Sequence, residues 1–349
     1  MNSLVRSFGT WMTAVILLLS STWIVGMIVA PQLIMVEHSF WYLDKGGDEA
    51  ALSARIDNLY NDLDILSLDK SDAELLSDEA QRAQVLAEID SRAVAIQSEI
   101  DTLETQEVAP EKVYSLHNYT LMGKSHLLIF LKTIAASLTV TFIAFVVCYP
   151  IAYTVAKLAT PGKAAIIMLG LIIPYAINEL LRVFAWLMIL NYNGVANFFI
   201  TWMGFDPVPF LESGSGVFIA MIYAYVLFMV FPIYNTVETL DTNQIEAARD
   251  LGAPMWKIHW HIVLPHAKPG IAVGCIMTFM LSAGSYAVPY IMTRGTASPW
   301  FTQLIYNKFF ESSNWNAGSA YAFTLLVACV LFIFLLMRIF KVGIREIAR

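Results

Sequence analysis

Glu179 and Arg182 stand three residues apart in an otherwise apolar run, 164–190. On a helix that spacing puts both on one face. A charge inside a membrane-length run is costly, and it marks either a structural ion pair or a solute path. In the first reading the two side chains pair and lock their helix against its neighbours. In the second, Glu179 meets an ammonium group, and Tyr175, Trp186, Tyr223, Tyr225, Tyr286 or Tyr290 offers an aromatic face to the cation. Counted from Lys163 at about 1.5 Å per residue, Glu179 lies roughly 24 Å along a straight helix, in the outer half of a membrane.

A second informative stretch is 241–266, polar and apolar by turns. Its physical reading is two short helices with a break. Asn243 caps the first, with Glu246 three residues on as reciprocal partner. Gly252 ends it, because a left-handed residue is easiest for glycine. Pro254 suits the first turn of the next helix. Leu264-Pro265 stops that helix and Pro269 opens another. Such an elbow between two spans is a surface for a partner to grip. Nothing else in the chain has catalytic spacing. His259 and His261 are two residues apart and do not share a helix face. Gly123-Lys124-Ser125 ends like a phosphate loop, but Asn118 stands where the first glycine belongs.

The elements that must position these residues are membrane spans. Of 349 residues, 58% are hydrophobic and 14% charged, against about a quarter charged in soluble domains. That composition excludes a soluble enzyme and a disordered chain. Charge-free runs long enough to cross about 30 Å of hydrocarbon occur at 11–36, 133–156, 213–237, 269–293 and 312–337. The run 164–190 is the sixth. The first is too long for a secretory signal, so 1–36 reads as an anchor. With the N-terminus inside, the cytoplasmic pieces hold ten Lys and Arg, and the short outer pieces only Arg294 and Lys308. Both termini are therefore expected in the cytoplasm. The cysteines, 148, 275 and 329, lie in apolar runs and indicate no disulfide framework.

Residues 37–126 carry a net charge of −12 and the remaining 259 a net of +5. Leu52, Ile56, Leu59, Leu63 and Leu66 form one heptad-like seam, and Leu86, Ile89, Ala93, Ile96, Ile100 and Leu103 another. Ser71-Asp-Ala-Glu74 between them is a capping box. The expected fold is all-α: six transmembrane helices, with an antiparallel extracytoplasmic hairpin of 49–68 and 72–107 inserted between the first two. The hairpin is a solvated post, a docking site or an acidic funnel for cations.

Glu246-Ala247-Ala248, then Gly252, then Ile262-Val-Leu-Pro265, resembles the EAA loop of permease subunits of type I bacterial ABC importers. The resemblance implies a coupling loop of Glu246, Ala247, Ala248, Arg249, Asp250, Leu251, Gly252 and Ala253, seated in a groove of an ATPase whose closure it transmits to the spans. Cys148-Tyr-Pro-Ile-Ala-Tyr153, Pro174-Tyr175, Arg182-Val-Phe-Ala-Trp186, Asn193-Gly-Val-Ala-Asn197, Phe231-Pro-Ile-Tyr234 and Gly284-Ser-Tyr-Ala-Val-Pro289 are similar to permeases of spermidine/putrescine importers. The resemblance covers about 114–345 and makes 127–349 the permease core. The acidic hairpin is not a usual part of polyamine permeases, and Cys148 stands where the family usually has glycine.

The resemblance further implies a multi-pass protein of the bacterial inner membrane that is not itself an enzyme. It binds no cofactor or metal, since ATP and magnesium belong to a partner ATPase dimer. The other implied partners are a second permease subunit and a periplasmic substrate-binding protein; lipid surrounds the chain, and no nucleic acid is involved. The expected cargo is a polyamine or related small cation. Another small organic solute or ion is the alternative, and a receptor or a secondary transporter are the readings from other classes.

Overall fold

The computed structural model describes residues 2–44, 79–104, 111–211, 213–293 and 300–343, with 55, 59, 62, 63, 66 and 70 besides. It divides into two compact units, Met1–Ser39 with Asn118–Arg349, and Phe40–His117. The first unit opens with α1 (Asn2–Ile24), a wide turn Val25–Val29, and α2 (Ala30–Ser39). The Ala30 N–H reaches Val25 O, five residues back, so this turn holds one residue more than an α-helical turn. Pro31 follows directly. Its ring crowds the preceding turn and it has no N–H to donate, and a widened turn relieves both constraints.

In the second unit, β1 (Trp41–Asp44) pairs antiparallel with β2 (Glu111–Tyr114), with Trp41 opposite Tyr114. Lys112 Nζ lies 4.4 Å from the Trp41 ring centre. This ribbon is an addition to the all-α reading. Between the strands runs α3 (Glu79–Glu104). Its seam is the expected one: Ile89 and Ile100 are buried, and Leu86, Ala93, Ile96 and Leu103 are half-buried. Of the other expected helix, 55, 59, 62, 63 and 66 are described, all helical, with Leu59, Leu63 and Leu66 half-buried. Ion pairs join Arg55 to Glu99 and Lys70 to Asp90, each at 2.7 Å. The partner's number falls as the chain advances, which is an antiparallel order. Exposed pairs of this kind contribute little stability, so the apolar seam does the holding. The capping box Ser71–Glu74 and the rest of 49–68 lie outside the described residues.

The first unit continues with α4 (Lys124–Tyr153), α5 (Pro161–Ile172), α6 (Glu179–Ile189), α7 (Val195–Trp202) and α8 (Ser215–Glu238). Then come α9 (Thr242–Asp250), α10 (Met255–Ile258), α11 (Leu264–Ala283), α12 (Ala287–Met292), α13 (Phe301–Tyr306) and α14 (Trp315–Phe340). Among the described residues, five helical stretches are long and apolar enough to cross a bilayer: Phe8–Ser39, Lys124–Leu158, Ser215–Glu238, Met255–Ala283 and Trp315–Phe340. A sixth exists if the bent pair Pro161–Ala176 and Glu179–Ile189 counts as one span.

That pair corrects the straight helix expected over 164–190. The two parts meet at 101°. Pro174 withholds a donor, Ile177 is extended with ψ 138°, and Asn178 caps α6 by accepting the Leu180 N–H at 2.9 Å. Glu179 is thus the first residue of a new helix, and the 24 Å estimate along one straight axis does not apply. Two further boundaries differ. Leu264-Pro265 does not stop a helix: a wide turn His259–Val263 joins α10 to α11, with the Leu264 N–H on His259 O. In the run 269–293, Gly284 instead ends α11, and α12 is a separate short helix.

The core lies where α4, α8 and α11 cross. At one end of it Ala144, Cys148 and Ala152 of α4 pack with Met229, Ile233 and Val237 of α8 and Ala267 and Ile271 of α11. Small residues at the crossings bring the backbones close, which is how helices associate in a solvent as apolar as themselves. Cys148 is fully buried and its thiol faces Val226 O at 3.8 Å, so it serves as one of these small residues. At Gly274 a Cβ would stand 2.9 Å from Met229 Sδ. At Gly270, which no motif singles out, a Cβ would run into Pro232 O and Thr236 Oγ1. Gly170 has no atom that close and marks no helix contact.

Gly270→Ala should therefore destabilise the protein by about 1–3 kcal/mol, since backbone at a helix crossing yields less than a flexible side chain. Gly170→Ala should be neutral or slightly stabilising. Thermal unfolding of the two variants in detergent checks the contrast.

Candidate functional site

The elbow at 241–266 is built by backbone bonds that explain its residue spacing. Asp241, not Asn243, caps α9, its carboxylate accepting the Asn243 N–H at 3.0 Å. The helix ends at Leu251. Beyond it the Gly252 N–H bonds Arg249 O at 2.9 Å and the Ala253 N–H bonds Ala248 O at 3.0 Å. With Gly252 at φ 78° this is a Schellman ending. Such an ending requires a residue tolerant of positive φ four positions after the carbonyl that receives the outer bond, and an apolar pair at its two ends. Gly252 meets the first requirement; Ala248 and Ala253, both packed on the core, meet the second.

The elbow is fixed to the spans from several sides. Ile245 and Ile258 are buried in the α4–α8–α11 core. Lys157, beyond the end of α4, donates to Glu238 O and Leu240 O. Tyr149 Oη and His259 Nδ1 are 2.7 Å apart, and Thr239 Oγ1 and His266 Nε2 are 3.0 Å apart. None of Lys157, Tyr149, Thr239 or His266 is a candidate from the sequence, because each partner lies 27 to 110 residues away and no local pattern announces it.

The outer face of the elbow is left uncovered. Glu246, Ala247, Arg249, Asp250, Leu251 and Gly252 are exposed, while Ala248 and Ala253 are half-buried. Leu251 is 89% exposed and Trp256 65%. A leucine and a tryptophan left open on this turn, in a stretch that also exposes Glu246, Arg249 and Asp250, offer apolar surface among charges, as protein contact sites do.

The charged and aromatic candidates divide into two groups. In one, the Arg182 guanidinium lies over the Tyr175 ring, 4.5 Å from its centre. The Tyr175 hydroxyl donates to Ala224 O at 2.8 Å and Tyr223 O at 3.1 Å, which fixes the ring against α8. Trp186 meets Tyr223 edge-on at 5.1 Å, and Tyr225 is buried nearby in the same core cluster as Val183. In the other group Tyr286 stacks on Tyr290 and on Tyr306, at 5.2 and 4.7 Å. No ring contact among the described residues joins Tyr286 to the Arg182 group. Tyr306 belongs with this second group and was invisible in sequence, since it comes from a different helix.

The ion-pair reading of Glu179 and Arg182 fails: among the described residues no salt bridge joins them. Glu179 is exposed at the start of α6. Arg182 Nε and Nη1 are buried without an acceptor. Their stabilisation comes from the Tyr175 face, which contributes less than a carboxylate would. The arrangement offers one accessible acid, one shielded cation and a ring between α5, α6 and α8. No group of three or more His, Cys, Asp or Glu among the described residues is placed to hold a metal.

Residues 120–346 match the family model of the binding-protein-dependent transport system inner membrane component. The chain belongs to this family. It is a multi-pass permease component of the bacterial inner membrane, and ATP hydrolysis in such systems resides on a separate subunit, so the chain is not itself an enzyme. Among relatives, the spermidine/putrescine transport system permease protein PotB of Escherichia coli (strain K12) is 31% identical over 218 residues, 62% of this chain and 78% of that protein. PotB of Haemophilus influenzae is 28% identical over 239 residues, 67% and 82% of the two chains. Among solved structures, a bacterial ABC transporter involved in the import of the acidic polysaccharide alginate matches with a TM-score of 0.51 at 15% identity, covering 66% of this chain and 84% of that one. That likeness establishes the permease fold.

Removal of the Asp241 carboxylate in Asp241→Ala should cost about 1 kcal/mol of elbow stability, the usual loss for an N-cap. Asn243→Ala should cost almost nothing. Hydrogen exchange of the α9 amides in the intact transporter distinguishes the two.

Proposed function

We propose that this permease component carries a polyamine or a related small cation from a periplasmic binding protein to the cytoplasm, driven by a partner ATPase dimer through the elbow. The elbow's exposed Leu251–Trp256 patch is the observation that carries the coupling role. Its Schellman ending and its buried Ile245 and Ile258 make it a rigid extension of the spans, so a push on its outer face moves helices and is not lost in a loose loop. Glu246, Arg249 and Asp250 around the patch give polar contacts in register with a groove. ATP and magnesium sit on the ATPase, and a second permease subunit completes the path. Ten Lys and Arg in the inner pieces, against Arg294 and Lys308 in the short outer ones, support cytoplasmic placement of that face and of both termini.

The polyamine reading is supported by the two PotB relatives and by one accessible acid beside aromatic faces. In it Glu179 meets a substrate ammonium at the bend of the third span, and Tyr175, Trp186, Tyr223 and Tyr225 form the wall beside it. Arg182 lies over the Tyr175 face, where a substrate ammonium would compete with it. Tyr286, with Tyr290 and Tyr306, forms a separate aromatic patch on the path. The acidic unit, on the extracytoplasmic side in this reading, raises the local concentration of cations there.

ATP-dependent uptake of radiolabelled spermidine and putrescine into vesicles holding the complete transporter tests this. Saturable uptake is expected. Gly252→Asp, which places a Cβ and a charge at a left-handed position on the gripped face, should abolish uptake and stimulated ATPase activity while the protein still inserts. Normal uptake by that variant would remove the elbow from the mechanism. Glu179→Gln should raise KM for both amines roughly tenfold, the ~1.5 kcal/mol of one charge-assisted contact. An unchanged KM would take Glu179 off the path.

A further inference from the structure

Helices α4, α11 and α14 enclose a groove of about 640 Å³ at the end of the bundle that carries the elbow. Phe142 and Phe145 of α4 and Phe332 and Phe340 of α14 form much of its wall, with Trp260 and Lys268 on the α11 side. Phe332 stacks on Phe279 at 3.7 Å, which sets the register of the two helices. From that level Lys268 lies eleven residues, about 16 Å, toward the elbow, and α14 ends after about 14 Å at Lys341. Both cations thus stand at the elbow end, and a slot of phenylalanines runs from there into the bundle.

Among the residues that line this groove, Lys268 alone carries a charge. Helices α4, α11 and α14 carry Lys124, Lys132, Lys268 and Arg338 and no aspartate or glutamate. No acid occurs at all in 112–178, 251–310 or 312–345. Lys268 is exposed and makes no ion pair among the described residues. The Thr141 hydroxyl, also on the wall, already donates to Ser137 O at 2.8 Å. The lysine ammonium and the Trp260 indole are therefore the side-chain donors the groove has to offer, and these helices contain no carboxylate to take them.

We propose that this groove binds an anionic phospholipid, with the phosphate on Lys268 and an acyl chain along the phenylalanines. A soluble anion gains nothing from the apolar slot. A zwitterionic lipid fills the slot but brings its own cation to the lysine. An anionic lipid satisfies both ends, as basic pockets between spans do, and the lysine stem lies along the slot while its head reaches the phosphate. Trp260 and Leu264 continue into α10 without a break, so the lipid rests against the root of the elbow.

The test is quenching of Trp260 fluorescence in the intact transporter, in phosphatidylcholine nanodiscs that contain a minor fraction of brominated lipid. The Trp260 signal is the difference between wild type and Trp260→Phe. Brominated phosphatidylglycerol should occupy the groove about fivefold more than brominated phosphatidylcholine at equal mole fraction, the ~1 kcal/mol of one lysine toward an anionic surface. Lys268→Gln should abolish that preference and Lys268→Arg should keep it. Equal quenching by the two lipids, or a preference that survives Lys268→Gln, overturns the proposal. So does quenching by neither lipid, which means that a protein segment fills the groove, and so does loss of the preference on adding millimolar inorganic phosphate. If Lys268→Gln does not assemble, native mass spectrometry of the wild-type transporter titrated with the two lipids reads the same preference.

Discussion

Hydrocarbon offers no hydrogen bonds, so each backbone N–H and C=O in a span must find its partner within the protein. That requirement makes the transmembrane unit helical, and it governs how the chain manages its prolines. Pro31 and Pro265 each follow a wide turn, Val25–Val29 and His259–Val263, in which the residue just before the proline bonds five residues back. The extra residue moves the preceding carbonyl aside from the ring and keeps the helix continuous. Beyond Pro174 the helix breaks, at the extended residue Ile177. The break is repaired by Asn178, which caps α6 with its side chain. Pro150, Pro232 and Pro269 also lie inside continuous helices, and the bend beyond Pro174 is where Glu179 and Arg182 sit.

Close packing follows from the same solvent. Helices in lipid gain little from burying apolar surface against each other and must gain from contact. Cys148, Gly270 and Gly274 supply it by bringing α4, α8 and α11 together. The elbow is then continuous with this packed core through Ile245 and Ile258, and held by Lys157 and Tyr149. A permease must convey a movement made outside the membrane to helices within it. An element packed on the core on one face and open on the other is suited to that task.

The guanidinium of Arg182 has two nitrogens, Nε and Nη1, buried without an acceptor. It is tolerated because Tyr175, fixed by two backbone carbonyls of α8, presents a ring face to it. Glu179, one turn earlier, stays accessible. The i, i+3 spacing that suggests mutual pairing assumes that both residues are interior to one helix. Both lie on α6, but the guanidinium is drawn onto the Tyr175 ring and the carboxylate stays in the open, so the two charges acquire different surroundings.

The sequence by itself determined the class of this protein. Run lengths counted the spans, since hydrocarbon thickness is fixed. Heptad spacing located the seam of α3. The elbow was legible because its Schellman ending is a local motif: Ala248, Gly252 and Ala253 stand within six residues, and backbone geometry dictates their kinds. Tertiary structure decided what depends on partners far apart in the chain. It replaced Asn243 with Asp241 as the cap, bent the third span, continued the helix past Pro265, and separated Tyr286 from Tyr175. It also brought Lys157, Gly270 and Tyr306 into roles that no spacing reveals. Periodicity records what a residue's near neighbours require, whereas a helix crossing or a stacked ring is chosen by a side chain dozens of positions away.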